Sequence, residues 1–295
     1  MEPIAHVKEI WRYPVKSMGG ESLDAGTLTS AGMLGDRLWA VLDEDGEIKS
    51  ARQWSKLLQM TASYSGGTTI DSQLFSDEVP DVDIHLPDGG EIRSRAPAIN
   101  TVVGEFLGQV CRIEPRRHSS DTKFYTPPKE RNRDNMDIEL DRLEGEADFD
   151  FSQTPEEIFK VLGQYMTPPG TYFDTFPLHM VSSQSMGKLA NASEADADRR
   201  RFRPNLFLDF VDGAQLTPEE SLVGKRIRIG DAVIHVRAKT FRCSIPSRPQ
   251  PLLGLHQDPN MTRAMVNHFE RHIGVYANIE VEGKVELGDP VFLIS

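Results

Sequence analysis

The sequence predicts a mainly β fold with added helices, α+β in class. Three observations carry this: short β-prone runs closed by Gly- and Pro-containing turns, helix signals confined to a few capped sites, and a change of composition near residue 116. The implied division is a small β-domain over residues 1–115, an acidic and partly helical insertion or linker over 116–170, and a second domain over 171–295. A length of 295 residues also exceeds what one domain commonly holds.

In the first domain Ile4 to Val15 is an apolar, β-prone run. Leu38 to Leu42 leads into the turn Asp43-Glu44-Asp45-Gly46 and returns through Glu47-Ile48-Lys49, a hairpin pattern. Val82 to Leu86, Pro87-Asp88-Gly89-Gly90 and Glu91-Ile92-Arg93 repeat it. Asn100 is placed to cap a helix through Leu107 that stops at Gly108.

The middle segment, Asp134 to Asp150, is rich in Asp and Glu and reads as a solvated surface. Thr154, Pro155 and Glu157 form a capping-box helix start, with Gly163 as its stop. Beyond it, Leu178 to Val181 is strand-like, Ser182 to Ser185 caps a helix, and Leu206 to Phe210 is a strand fit for burial on both faces. Ile229 to Val233 and Leu287 to Val291 read as hairpins at a barrel edge. Between them, Met265, Val266, Phe269 and Ile273 follow a helical period ending at Gly274, with the methionines as core filler.

Hydrophobic residues at 38% with 14 Phe and 3 Trp indicate a packed globular chain. A net charge of -12 argues against a nucleic-acid partner, since phosphate neutralisation needs a basic surface. No apolar run approaches a membrane span and Met1 to Lys8 has no leader pattern, so the expectation is a cytoplasmic protein with no membrane partner. Two cysteines, Cys111 and Cys243, cannot ligate an iron-sulfur cluster, so electrons for any redox chemistry come from outside the chain.

Chemistry concentrates at Lys239 to Arg248, where Cys243 stands among basic and hydroxyl side chains, a setting that favours the nucleophilic and metal-binding thiolate. Four islands accompany it: Tyr13 to Gly20, where Lys16, Ser17 and Gly-Gly amides suit an anion; Gly35-Asp36-Arg37; Ser182-Ser183 at a helix start; and Arg199 to Asn205, a basic stretch in an acidic chain. Taken singly, each reads first as a surface charge or a helix cap, and Cys243 as a packed apolar residue.

Together they resemble the MOSC family. Tyr13-Pro14-Val15-Lys16-Ser17 and Gly35-Asp36-Arg37 resemble the N-terminal β-barrel domain that precedes MOSC, and Arg201 to Asn205, Ile229-Gly230-Asp231, Arg242-Cys243 and Leu287 to Val291 resemble the MOSC β-barrel domain with its flanking helices. The resemblance implies a molybdenum cofactor of the molybdopterin type, with Cys243 as catalytic residue and molybdenum ligand. It assigns Lys16, Ser17 and Arg37 to the cofactor from one domain, and Ser182, Ser183, Arg203, Asn205, Thr240 and Arg242 from the other.

By the same resemblance the activity is reduction of N-hydroxylated or N-oxygenated small molecules, fed by a separate ferredoxin- or flavoprotein-like donor. Alternatives are a sulfur carrier using a Cys243 persulfide and a metal-free binding scaffold. The chain departs from the amidoxime-reducing members at Phe241, where they have a small residue, and in Glu219 to Leu222, where they have a tryptophan. Phe241 would favour the scaffold by crowding the site.

Overall fold

A computed structural model describes residues 2–65, 79–128, 136–152, 154–211 and 219–294. In chain order it contains β1 (Ala5–Arg12), β2 (Glu21–Leu23), β3 (Ala25–Thr29), β4 (Gly32–Met33), β5 (Trp39–Asp43), β6 (Thr61–Tyr64), β7 (Val82–His85), β8 (Glu91–Arg93), α1 (Ile99–Leu107) and β9 (Cys111–Pro115). There follow α2 (Thr122–Tyr125), α3 (Met136–Leu140), α4 (Glu156–Gln164), β10 (Leu178–Ser182), α5 (Ser183–Ala192) and β11 (Leu206–Phe210). The chain closes with β12 (Arg226–Ile229), β13 (Ala232–Phe241), α6 (Met261–Phe269), β14 (His272–Val281), β15 (Gly283–Glu286) and β16 (Pro290–Ile294).

The largest sheet runs β11-β10-β14-β13-β12-β16-β1, and β1 also pairs with β11, so seven strands close into a barrel with β2 attached to β1. Closure removes the open edges that a sheet otherwise leaves. β1 is the closing strand: Ala5 registers with Phe210 on one side and Val291 on the other. Strict alternation of burial along β13 points Ile234 and Val236 inward, where they meet Val7, Ile10, Leu208, Val275 and Ala277.

A second core, including Val15, Met18, Trp39, Val41, Leu57, Ile84 and Val103, lies under α1 and the sheets β5-β9 and β6-β7-β8. Ile245 belongs to this second core and Cys243 packs against it. The turn after β13 therefore crosses from the barrel into the neighbouring module. Among the described residues no helix is long and apolar enough to cross a membrane.

Both N-terminal hairpins form as expected: Asp43 N donates to Glu47 O at 3.0 Å, and β7 pairs β8 through Ile84 and Ile92. Other readings need correction. Asn100 lies inside α1, and its Oδ1 accepts from Ile113 N at 2.9 Å; Ala98 is the cap. α4 starts after Pro155 with no side-chain cap and runs through Gly163 to Tyr165, leaving Glu157 to pair with Arg237. Leu287 to Val291 is not a hairpin, because β15 pairs with β3 while β16 joins β12 and β1. α6 ends at Phe269, and Ile273 and Gly274 lie in β14.

The acidic segment is not simply solvated, although residues 129–135, and Asp134 with them, lie outside the described residues. Leu140 is buried, and Glu146 is clamped by Arg271, whose side chain is only 3% exposed.

Candidate functional site

The site begins where β1 ends. Tyr13 N donates to Asp36 Oδ1 at 2.7 Å and Arg37 N to Tyr13 O at 2.7 Å; Lys16 N then donates to Trp39 O at 2.8 Å. This zipper sets residues 13–17 against 36–39. Ser17 (φ 69), Arg37 (φ 51) and, from the barrel side, Arg203 (φ 56) all take the left-handed backbone. For a residue with a Cβ that conformation costs roughly 1–2 kcal/mol, so the surrounding contacts must impose it.

Around this zipper gathers a cationic cluster. Lys16 Nζ, nearly fully buried, donates to Tyr172 O at 2.9 Å and Asp174 Oδ1 at 2.7 Å. Arg52 approaches Asp174 at 3.8 Å and Glu139 at 3.7 Å, and interacts electrostatically with Cys243. Arg37 pairs with Asp36, and the guanidinium carbons of Arg37 and Arg203 stand 5.3 and 4.3 Å from the Tyr13 ring centre.

Burial would raise the Asp174 carboxyl, but Lys16 and Arg52 beside it hold it well below the usual carboxylate range. Half of that side chain remains accessible although charged groups surround it.

Two arginines make no ion pair with any of the described residues. Arg203 is 7% exposed, and neither of its Nη atoms has a partner among the described residues. Burial pulls this guanidinium down to about 10, so it stays protonated at neutral pH. Arg242 donates to Phe202 O at 3.0 Å and lies 3.3 Å from His179 Nε2, while its Nε also has no partner among the described residues. Burial, reinforced by Arg242, holds His179 well below its ordinary range. The neutral ring fits its contacts: Nδ1, 3.4 Å from Arg203 O, carries the proton, and Nε2 accepts from Arg242.

A buried guanidinium with free N–H groups is costly when left alone. Five cations (Lys16, Arg37, Arg52, Arg203, Arg242) face three carboxylates (Asp36, Asp174, Glu139), so the arrangement is complementary to a compact anion such as a phosphate ester. Among the described residues no group of three or more His, Cys, Asp or Glu could hold a metal ion. Cys243 offers a thiol, a soft ligand type, beside this cluster. The unpartnered guanidinium atoms and the neighbouring thiol fit a phosphate-bearing cofactor with a thiol-ligated metal.

Lys16, Arg37, Arg203, Arg242 and Cys243 are thus brought to one region. Ser17 adjoins them, but its hydroxyl accepts from Ala51 N at 2.9 Å. Asn205 holds strands together: its Oδ1 accepts from His179 N at 3.2 Å and its Nδ2 donates to Trp11 O at 3.3 Å. Thr240 is fully buried, and its hydroxyl has no partner among the described residues. Ser182 and Ser183 sit at the far end of β10 from His179, where their hydroxyls donate to Glu219 and Asp209.

The Gly19 amide is not free for an anion, since it donates to Met60 O, and Gly20 packs so closely that a Cβ there would lie 2.2 Å from Arg12 O. Phe241 turns to Phe149, Phe151 and His272, with ring centres 5.7, 4.8 and 5.6 Å away.

Arg52, Asp174, His179 and Glu139 escape the sequence reading. Each is an isolated polar residue in an unremarkable run, and only tertiary pairing gives it a role. The one available signal was His179 and Asp174 flanking Phe176-Pro177 just before a buried strand.

Residues 168–292 match the family described as MOSC domain, and residues 4–97 match the MOSC N-terminal beta barrel domain. The chain is 23% identical over 320 residues to mitochondrial amidoxime-reducing component 1 of Homo sapiens, covering 100% of this chain and 85% of that protein. It is 25% identical over 268 residues to molybdenum cofactor sulfurase of Oryza sativa subsp. japonica, covering 86% of this chain and 28% of that protein. Among solved structures, the YUAD protein from Bacillus subtilis aligns over 97% of this chain and 93% of its own, at 13% identity and a TM-score of 0.42.

Proposed function

Since the chain is a MOSC-domain protein with a MOSC N-terminal beta barrel domain ahead of it, we propose that it is an oxidoreductase that binds a molybdenum cofactor and reduces N-hydroxylated or N-oxygenated small molecules. The observation that carries this reading is the Arg203 guanidinium, buried with neither Nη atom partnered among the described residues, in the cationic cluster beside Cys243.

In this reading Arg203 and Arg242 neutralise the cofactor's phosphate, with Lys16 and Arg37 adding positive potential from the N-terminal module. Cys243 supplies the soft sulfur ligand that molybdenum favours. When bound, the cofactor supplies the oxygen transfer and the redox change. His179, kept neutral, accepts from Arg242 and helps fix that guanidinium in place. Phe241 packs with Phe149 and Phe151. Electrons arrive from a separate ferredoxin- or flavoprotein-like donor, because two cysteines cannot build an iron-sulfur relay.

Reduction of an amidoxime with a chemical electron donor tests the activity. Wild-type protein from a molybdenum-replete host is expected to turn the substrate over, and Cys243→Ala to lose at least two orders of magnitude of rate. Equal rates in the two proteins would contradict the assignment of Cys243. If the wild type is inactive while sulfur donors add mass to Cys243, the persulfide carrier is the correct reading.

A further inference from the structure

Residues 136–152 run as a strap past the turn that carries Cys243. The strap touches both flanks of the thiol: Ser244 Oγ donates to Glu139 O at 2.9 Å, and the Phe149 and Phe151 rings pack on Phe241. Glu139 also accepts from Gln53 at 2.9 Å and lies 3.7 Å from Arg52, the guanidinium that interacts with Cys243.

The attachment of the strap is unusual in kind. One side chain, Arg271, donates to Leu140 O and Asp141 O, both at 2.9 Å, and to both carboxylate oxygens of Glu146. Thr262 Oγ1 adds a bond to Asp141 Oδ2 at 2.6 Å. Asp141, Glu270 and Arg271 all take the left-handed backbone to form this latch. The backbone N of Arg242 donates to Arg271 O at 2.7 Å, so the latch residue also holds the strand end beside Cys243.

None of the four apolar cores includes a strap residue, and its outer face leaves Ile138 72% and Asp148 98% exposed. An element held by polar contacts and a few rings opens at lower free energy than the barrel beneath it.

We propose that residues 136–152 form a cover beside Cys243, latched by Arg271, and that its opening controls which reactants reach the thiol. The cover would exclude bulky or strongly hydrated reactants in its closed state and admit them when the latch releases. It operates whatever Cys243 ligates, so it stands or falls separately from the proposed activity.

The test uses full-length protein produced without molybdenum, so that the thiol is free to react. Glu146→Gln and, independently, Thr262→Val weaken the latch from different sides without touching Cys243. A charge-assisted hydrogen bond contributes roughly 1.5–3 kcal/mol, so Glu146→Gln is expected to speed amide exchange in residues 139–148 by about tenfold or more. Alkylation of Cys243 by iodoacetamide is expected to accelerate in parallel in both variants. Cys111, 4% exposed and pushed up by burial to about 11, is the internal reference and is expected to stay unchanged. Faster strap exchange with no change at Cys243, unmoved exchange in both variants, or equal acceleration at Cys111 would each overturn the cover.

Discussion

Glu219 shows how the fold sets the charge of a single residue. It is fully buried, accepts from Ser182 and Ser185, and leaves its Oε1 without a partner among the described residues. Burial raises its carboxyl, and the two serine hydroxyls only partly oppose this. A carboxyl raised above its unfolded value, near 4.3, contributes stability that is fully present below that value and is lost as pH rises through the folded value. Glu219→Gln removes the ionisation, so its melting temperature is expected to exceed the wild type's at pH 8, by roughly 2–4 °C per kcal/mol. The gap should close toward pH 4. Thermal unfolding followed by circular dichroism across that range checks it, and parallel curves at every pH would contradict it. At this scale the sequence exposed the cations, because Lys16, Arg37 and Arg203 stand in recognisable motifs. It did not expose Asp174 or His179, whose roles arise from partners distant in sequence, nor that Ser182 already serves a carboxylate.

Among the elements, strands and tight hairpins were the most legible, since a turn signal between two β-prone arms is a local pattern. Helix ends were less so. Gly274 reads as a helix stop, yet it lies inside β14 with φ 88, because the backbone there passes against β10. A Cβ at this position would lie 2.6 Å from His179 Nε2 and 2.8 Å from Met180 O. Gly274→Ala is therefore expected to destabilise the chain by about 3 kcal/mol through overpacking and backbone strain, and to disturb the His179 to Arg242 contact. Urea unfolding measures this; an unchanged midpoint would show that β14 can yield without loss. The strap was the least legible element, because its acidic composition reads as solvated surface until Arg271, more than a hundred residues away, is seen to clamp it.

For the molecule as a whole, the two modules are interleaved. β1 closes a barrel whose other strands come from residues 178–294, and β15 returns to pair with β3. Cys243 leaves the barrel at the end of β13 and packs on the core of the other module, so a site built around it draws on both. That concentration of buried cations in a chain of net charge -12 is the main physical reason to place an anionic cofactor there. Molybdenum and pterin content of freshly purified protein from a molybdenum-replete host tests this most directly. Near-stoichiometric metal and pterin are expected in the wild type, with loss of pterin in Arg203→Met and loss of metal in Cys243→Ala. A folded wild type free of both, indistinguishable from the two variants, would contradict the account.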